Sequence, residues 1–369
     1  METLRVDILI AGAGPAGTSA ARSAAASGAR VAVIERRAVV GVPVQCAEYI
    51  PAPLLAEAGV GRRFVVQPIR GMRTFLNGRC IQEIFSPGYT IARDVFDGAL
   101  ADAAKDAGAS IFLSTSVLAK EGCEAIVKRK GGRLSRIEAK VIVGADGPHS
   151  RVARWIGSPN RALIPAVQVR IPLARPMDFT EIFFDAEFYG GYGWLFPKGD
   201  VANVGLGMKH RRGVDAGLRK ALGRLVSLLA GQGKIKGEPS GFTAGWIPAE
   251  NPKTIVRGNV LLAGDAAGHT HPMTGAGVPQ AVVGGRMAGE WAARAVESED
   301  VSLLSGYEAE WLDLYGATLD RGFQRRCLLE REWAGLEGVI ERCWVTFREY
   351  YGAPRRMAGA EEGVAMGRS

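Results

Sequence analysis

The spacing of apolar residues along this 369-residue chain changes character several times. Val6, Ile8, Leu9 and Ile10 form a short apolar run of strand length. Small residues follow: Ala16, Ala20, Ala21, Ala24, Ala25 and Ala26 predict a helix that Ser27-Gly28 closes. Residues 31–34 read as a second buried strand ending at Glu35. A short helix is expected over 51–65, with Pro51 and Pro53 at its start. Strands on either side of Asn77-Gly78 predict a hairpin. Val95, Phe96, Leu100 and Ala103 share one face of an amphipathic helix over 93–108. Strands are expected over 111–116, 124–129, 136–139 and 139–146. Between 160 and 250 the pattern turns aromatic and alternating: strands over 167–171, 180–184, 186–189, 193–196 and 202–206, then a helix over 214–230. A buried strand over 259–263 and a Gly/Ala-rich helix over 277–296 come next. Residues 302–349 read as helical throughout, and from about 352 the chain has little core-forming content.

The first strand–helix–strand unit encloses Gly12-Ala13-Gly14-Pro15-Ala16-Gly17, a G-x-G-x-x-G. Gly12 allows the tight turn, Gly14 lets the backbone approach a pyrophosphate, and Gly17 lets helix and strand pack closely. Glu35 lies about twenty residues further on, where a carboxylate can accept two ribose hydroxyls. Such a turn alone also occurs where a helix merely packs on a sheet; the strand before, the helix after and the acid together favour dinucleotide binding. Two more strand ends carry an acid. Asp265, in Gly264-Asp265-Ala266-Ala267-Gly268, can bond the ribityl hydroxyls of a flavin. Downstream, residues 269–277 form a small-residue loop into a helix, whose N-terminus favours the negative charge of a reduced flavin. Asp146, in Val143-Gly144-Ala145-Asp146-Gly147, is the third.

Composition narrows the class. Hydrophobic residues make up 47% and charged residues 23%, ordinary for a globular chain long enough for two or three lobes. The formal charge is +8, part of which a bound flavin dinucleotide would cancel. The arginine pairs (Arg36-Arg37, Arg62-Arg63, Arg211-Arg212, Arg325-Arg326, Arg355-Arg356) are scattered without interleaved aromatics, which excludes nucleic acid and reads first as a solvated surface, second as attraction to an anionic membrane or a diphosphate. Five widely spaced cysteines with no C-x-x-C point to a reducing compartment, neither a disulfide framework nor a zinc site. His149, His210, His269 and His271 make no metal set. No signal peptide and no membrane-spanning run is expected, so the predicted location is cytoplasmic, with peripheral attachment to the inner membrane face as an option.

The three acid motifs in this order resemble the flavoproteins built like aromatic hydroxylases, in which one chain wraps a single FAD. Tyr192-Gly193-Trp194-Leu195-Phe196-Pro197 followed by Gly205-Leu206-Gly207 is similar to the Y-x-W-x-F-P…G-x-G signature of geranylgeranyl reductases, and Gly41…Cys46-Ala47-Glu48 to the cysteine loop of that family. The C-A-E reading is nearer the archaeal and bacterial members than the plant-type C-G-G. The resemblance implies an α/β fold: a Rossmann-like FAD-binding lobe (1–65, 88–160 and 250–300), an antiparallel β-sheet substrate lobe (66–87 and 161–249), a helical C-terminal region (301–352) and a tail (353–369). It implies that Gly12, Gly14, Gly17 and Glu35 hold the adenosine side, with Pro15, Ala16 and Arg36 beside them. Gly264, Asp265, Gly275, Ala276 and Gly277 would hold the flavin side, with Cys46, Ala47, Arg93 and Asp146 near the cofactor.

The implied reaction saturates C=C bonds of a prenylated lipid, quinone or similar isoprenoid. Tyr192, Trp194 and Phe196 would line a dry channel, joined by Phe184 and Phe188, and Cys46 would relay a proton or shape the active face. For Cys46 a small buried hydrophobe is the plainer reading, and for Phe184 and Phe188 a packed sheet core serves as well. His269 and His271 read as loop hydrogen-bonding groups before proton donors. A single nucleotide fingerprint means that electrons come from transiently bound NADPH or from a partner protein such as a reduced ferredoxin. Two rival readings remain open: an FAD monooxygenase acting on an aromatic or peptidyl substrate, and a flavin-binding partner protein without turnover.

Overall fold

The computed structural model describes residues 3–209, 217–250 and 254–352. Among these the strands form two eight-stranded sheets. The first runs β15 (Val256–Arg257), β16 (Val260–Leu262), β9 (Leu134–Gly144), β1 (Thr3–Ala11), β2 (Val31–Ile34), β6 (Ser110–Phe112), with β7 (Thr115–Glu121) and β8 (Glu124–Arg129) folding back onto β9. Its centre is parallel: Ile8–Ala11 of β1 lies between Val31–Ile34 and Val141–Gly144. These strands read as continuous apolar runs because both faces are covered. The helices on this lobe are α1 (Pro15–Ala26), α2 (Leu54–Ala58), α3 (Arg93–Asp106), α4 (Arg151–Trp155) and α6 (Val278–Glu297).

The second sheet runs β14 (Ser240–Pro248), β10 (Leu163–Pro172), β13 (Val201–Gly207), β12 (Tyr192–Lys198), β11 (Phe179–Phe184), β4 (Val65–Leu76), β5 (Arg79–Ile91), β3 (Tyr49–Pro51). It is antiparallel except where β11 pairs with β4. Alternation divides its faces. Val167, Val169, Leu195, Val204 and Leu206 pack outward under α5 (Leu218–Gly231), while Ile182, Phe184, Trp194 and Phe196 face inward. Against the inward face lie the C-terminal helices α8 (Ala317–Arg331) and α9 (Leu336–Cys343), which follow α7 (Ser305–Trp311).

Several elements differ from expectation for identifiable reasons. The segment 186–189 is not a strand but a pair of turns: Phe188 N donates to Asp185 O and Gly191 N to Phe188 O, reversing the chain between β11 and β12. The segments 136–139 and 139–146 are one strand, β9, and 111–116 breaks at Ser114, whose φ is 50°. The helix over 51–65 shrinks to α2, ended by Gly59 at φ 59°. The helical run over 302–349 is interrupted by a π-helical turn at Leu312–Gly316 and by short 3-10 turns. The second sheet takes in residues 49–51 and 88–91, beyond the expected lobe boundaries, because Tyr49–Pro51 finds its ladder partner in Gly88–Thr90. The hairpin at Asn77-Gly78 forms with both residues at positive φ, 48° and 77°, as a two-residue turn requires. The start of the helix expected at 214, His210, Arg211-Arg212, Arg355-Arg356 and the tail lie outside the described residues.

One contact governs the first lobe. A Cβ on Gly285 would collide with the carbonyl oxygen of Ala16, and one on Gly289 with that of Ala20. Helices α1 and α6 therefore touch backbone to backbone and run in the same direction. Gly285 is seven residues into α6 and Ala16 one residue into α1, so the α6 N-terminus stands about 9 Å ahead of the α1 N-terminus. Helix propensity alone would make Gly289→Ala stabilising by ~1 kcal/mol. The contact reverses that sign: urea unfolding of Gly289→Ala is expected to show a loss of about 1–3 kcal/mol, and a gain would show that the two helices can move apart freely.

Candidate cofactor and substrate site

The glycines of the first turn have separate physical reasons. Gly12 sits at φ 101° with no room for a Cβ beside Ala145 O, and Gly17 has none beside Gly12 O. Around Gly14 there is open space, so its lack of a side chain serves something other than protein packing. The α1 N-terminus carries no capping side chain and no acid in its first turn, as a site for a diphosphate requires. Glu35 is fixed by two backbone donors: Ala13 N to Oε2 and Arg37 N to Oε1, both at 2.8 Å. A carboxylate offers about four acceptor positions, so two remain for ribose hydroxyls.

In front of this turn lies a cleft of about 160 Å³ lined by Gly14, Pro15, Arg37, Gln45, Arg93 and Asp97, among others. Of the first arginine pair, Arg37 lines it and Arg36 is exposed. Burial, then the charges of Arg36 and Arg93, push the Arg37 guanidinium below its ordinary pKa, with Glu35 and Asp97 opposing. A dianionic diphosphate would relieve that crowding of cations. Arg93, at the start of α3, makes a bidentate pair with Asp97 at 2.8 and 3.0 Å. Its burial disfavours the charge, but Asp97 and the sulfur of Cys46 outweigh this and hold the guanidinium above its usual value. Asp146 is engaged locally. It accepts from Ser150 Oγ at 2.5 Å and Arg151 N at 2.7 Å, so its carboxylate holds the start of α4.

Further along, Asp265 accepts from Thr270 Oγ1 at 2.7 Å, and burial raises its pKa against the pull of Thr270 and Arg93. Gly264 and Gly275 have positive φ, and a Cβ on Gly277 would crowd Thr270 Oγ1. The loop between them is held from inside. His271 N donates to Ala276 O at 2.8 Å, and His271 Nδ1 accepts from Met273 N and Thr274 N. His269 Nδ1 accepts from Gly264 N, and its ring stacks on Trp311 at 3.5 Å. Both imidazoles act as loop acceptors. These residues fit an extended FAD: a diphosphate at α1, and a ring end at the loop leading into α6.

The second sheet brings its inward face to this loop. Tyr192, Trp194 and Phe196 alternate along β12, and Tyr192 Oη donates to Thr274 O. Gln168 on β10 joins two segments: its Nε2 donates to Cys46 O at 3.1 Å and its Oε1 accepts from Trp194 Nε1 at 2.9 Å. Cys46 Sγ accepts from Glu48 N at 3.2 Å and lies close enough to the Arg93 guanidinium to favour its charge. Glu48, almost fully buried and at φ 69°, accepts from Arg93 N, Lys198 Nζ and Asn203 Nδ2 at 2.9, 2.7 and 2.9 Å. Phe184 joins the inner cluster, whereas Phe188 packs outward against Leu225 under α5.

Sequence reasoning missed Gln168, Lys198, Asn203 and Arg37. A polar residue in an otherwise apolar strand was the available signal for Gln168 and Asn203. It also missed the C-terminal contribution: Trp344 packs on Tyr192 and Phe184 at 5.3 and 5.1 Å, and Tyr350 Oη bonds His271 Nε2 at 3.1 Å.

Burial pulls His271 down to about 4, and His269 to about 3, from an ordinary 6.5. Between those values and 6.5 the unfolded chain binds more protons than the folded one, so stability falls as pH is lowered through that window. His271→Gln removes one such group. Between pH 7 and pH 4.5 the variant is expected to lose about 2–3 kcal/mol less than the parent in urea unfolding. Identical pH slopes would mean that His271 titrates alike in both states.

A family model described as an FAD binding domain matches residues 5–321. The chain is 35% identical over 334 residues to digeranylgeranylglycerophospholipid reductase 2 of Methanopyrus kandleri, covering 85% of this chain and 84% of that one. It is 34% identical over 340 residues to a digeranylgeranylglycerophospholipid reductase of Methanothrix thermoacetophila, covering 86% of each. A solved geranylgeranyl bacteriochlorophyll reductase-like protein from Thermoplasma acidophilum superposes with a TM-score of 0.81 at 28% identity, over 94% of this chain and 92% of that one. The cofactor turn, the strand-end acids and these similarities have one conclusion in common: the chain is an FAD-binding oxidoreductase and belongs to the geranylgeranyl reductase family.

Proposed function

We propose that this enzyme reduces C=C bonds in the isoprenoid chain of a lipid or quinone, and that the inward face of β12 is where the alkene lies. The observation that carries this is the orientation of polar atoms on that face. The Trp194 indole N–H is bonded to Gln168, and the Tyr192 hydroxyl to Thr274 O. What remains is ring surface, an apolar wall beside the flavin loop. Each CH₂ buried on such a wall contributes about 0.8 kcal/mol, so a prenyl chain needs no polar anchor there. A hydroxylase acting on a phenol or peptide would need free polar partners on the same face.

Bound FAD, when reduced, supplies the hydride. The protein's part is to hold the alkene in a dry site, to orient it, and to place a proton at the second carbon. We assign that proton to the Cys46 thiol: the π bond breaks, one C–H bond forms with the hydride and one with the thiol proton, and the sulfur is reprotonated from solvent. Arg93 beside the sulfur offsets the charge left on it. With one dinucleotide fingerprint in the chain, the electron donor binds transiently, as NADPH or a reduced ferredoxin. Among the described residues no helix is long and apolar enough to cross a membrane, so the lipid must be met at a bilayer surface or delivered.

Anaerobic mixing of the photoreduced FAD-loaded protein with a geranylgeranyl lipid is expected to reoxidise the flavin and yield a product heavier by two hydrogens per bond reduced. A product heavier by one oxygen under air, with no anaerobic reoxidation, would overturn the reading. Trp194→Ala is expected to slow this reoxidation at least about tenfold while leaving the flavin absorbance intact, and Asp265→Ala to purify largely colourless. An unchanged rate in the first variant would remove Trp194 from the substrate wall, and full colour in the second would remove Asp265 from the cofactor site.

A further inference from the structure

Two large aromatic side chains on β14 are half exposed, Trp246 with its ring edge-on to that of His149 at 5.5 Å. Phe242 is 48% exposed and Trp246 47%. They are four residues apart on an edge strand, about 13 Å along it, and although the register shifts beside Phe242, exposure alternates from Phe242 to Ile247 and leaves both on the more exposed side. Thr243 and Ile247, on the alternate positions, face the cofactor lobe: Thr243 Oγ1 donates to Val44 O at 3.0 Å, and Ile247 lies against Gly275. The segment 36–45 runs beside this strand, tied to it by Gln45 Nε2 donating to Ala244 O at 2.6 Å. It adds Val39 and Val42, 56% and 44% exposed. The same segment lines the cofactor cleft through Arg37, Gly41, Pro43, Val44 and Gln45.

The charges in these elements are of one sign. Segment 36–45, α5 and β14 contain Arg36, Arg37, Arg219, Lys220 and Arg224, and no aspartate or glutamate. Arg224 pairs with Glu187 at 2.8 Å, and Arg37 donates within its own loop to Pro43 O and Gln45. Arg36, Arg219 and Lys220 are exposed, and the Arg219 guanidinium lies 4.8 Å from the centre of the Phe242 ring. Tryptophan, phenylalanine and valine tips beside the exposed Arg36, Arg219 and Lys220 match a bilayer surface: the apolar tips enter the acyl boundary while the cations meet lipid phosphates.

We propose that the outer face of β14, with the 36–45 loop and the start of α5, docks on the surface of an anionic lipid bilayer, beside the cleft that holds FAD. The link to turnover rests on the function proposed above; the docking itself does not.

Flotation of the full-length, FAD-loaded protein with vesicles tests this directly. Binding is expected to vesicles mixing phosphatidylcholine with phosphatidylglycerol, to weaken as salt is raised, and to fall off on pure phosphatidylcholine. The double variant Phe242→Ser/Trp246→Ser is expected to lose roughly tenfold or more of the vesicle affinity, while keeping its flavin absorbance and its rate on a detergent-dispersed substrate. Arg219→Glu/Lys220→Glu provides a second variant, which leaves the strand untouched and is expected to lose the preference for anionic vesicles. Vesicle binding without any turnover would uphold the docking face and overturn the reductase reading instead. The proposal fails if the parent ignores anionic vesicles, or if both double variants bind them as the parent does. It also fails if the parent is a dimer that Phe242→Ser/Trp246→Ser converts to a monomer with no change at vesicles, which would assign the face to a second copy of this chain.

Discussion

The backbone contact between α1 and α6 is the constraint from which the cofactor site follows. Only glycine at 285 and 289 lets the two helices approach so closely, against the backbone of Ala16 and Ala20. The offset of about 9 Å between their N-termini puts two positive helix ends in line, one at the G-x-G-x-x-G turn and one at the loop of residues 269–277. An elongated dinucleotide with a diphosphate in its middle and a ring at its end suits such a staggered pair. The same contact explains why Gly264 also lacks a side chain, since a Cβ there would crowd Ala16. Small residues near this site are therefore of two kinds. Gly12, Gly17, Gly285 and Gly289 admit neighbouring backbone, whereas Gly14 faces open space.

The second sheet is joined to this lobe by hydrogen bonds as well as by apolar area. The loop carrying Cys46 belongs to the first lobe in sequence, yet Gln168, Asn203 and Lys198 of the second sheet hold it, through Cys46 O, Ala47 O and the Glu48 carboxylate. Glu48 occupies the left-handed backbone region, where a non-glycine residue carries a cost of order 1–3 kcal/mol. A buried carboxylate adds a desolvation penalty. Three donors at 2.7–2.9 Å offset both. The consequence is positional: the cysteine loop, Arg93 and Trp194 share one hydrogen-bonded network, so none of them can shift alone.

Local pattern was enough to read the parts of this fold that local chemistry decides. The first strand–helix–strand unit, the Asn77-Gly78 hairpin and the long small-residue helix α6 stand where the apolar period and turn residues put them. The family resemblance extended this to the FAD lobe and the reductase signature. What stayed hidden depends on partners far along the chain. Strand β14 is glycine-rich and half exposed, and it exists because β10, more than seventy residues earlier, offers it a free edge. The sequence 186–189 is aromatic enough for a strand, but hydrogen bonds on either side fold it into turns. Asp146 resembles its fellow strand-end acids in sequence, and only the position of α4 directs its carboxylate to a helix cap. Neither pattern nor motif distinguishes Arg36 from Arg37; the direction in which the chain leaves β2 does.

The C-terminal helices tie the loop of residues 269–277 to the inward face of β12. Arg326 is buried and donates both to Pro272 O in the cofactor loop and to Gly190 O before β12. Tyr350 bonds His271 in the same loop, and Trp344 donates to Thr74 on β4 while its ring covers Tyr192 and Phe184. A segment remote in sequence thus covers the inward face of β12 and braces the 269–277 loop. The buried state of His271 is part of that brace: its neutral ring accepts from two backbone amides of the loop on one side and meets Tyr350 on the other. A charged imidazole has no lone pair left for those amides, so neutrality of the ring and order of the loop require one another.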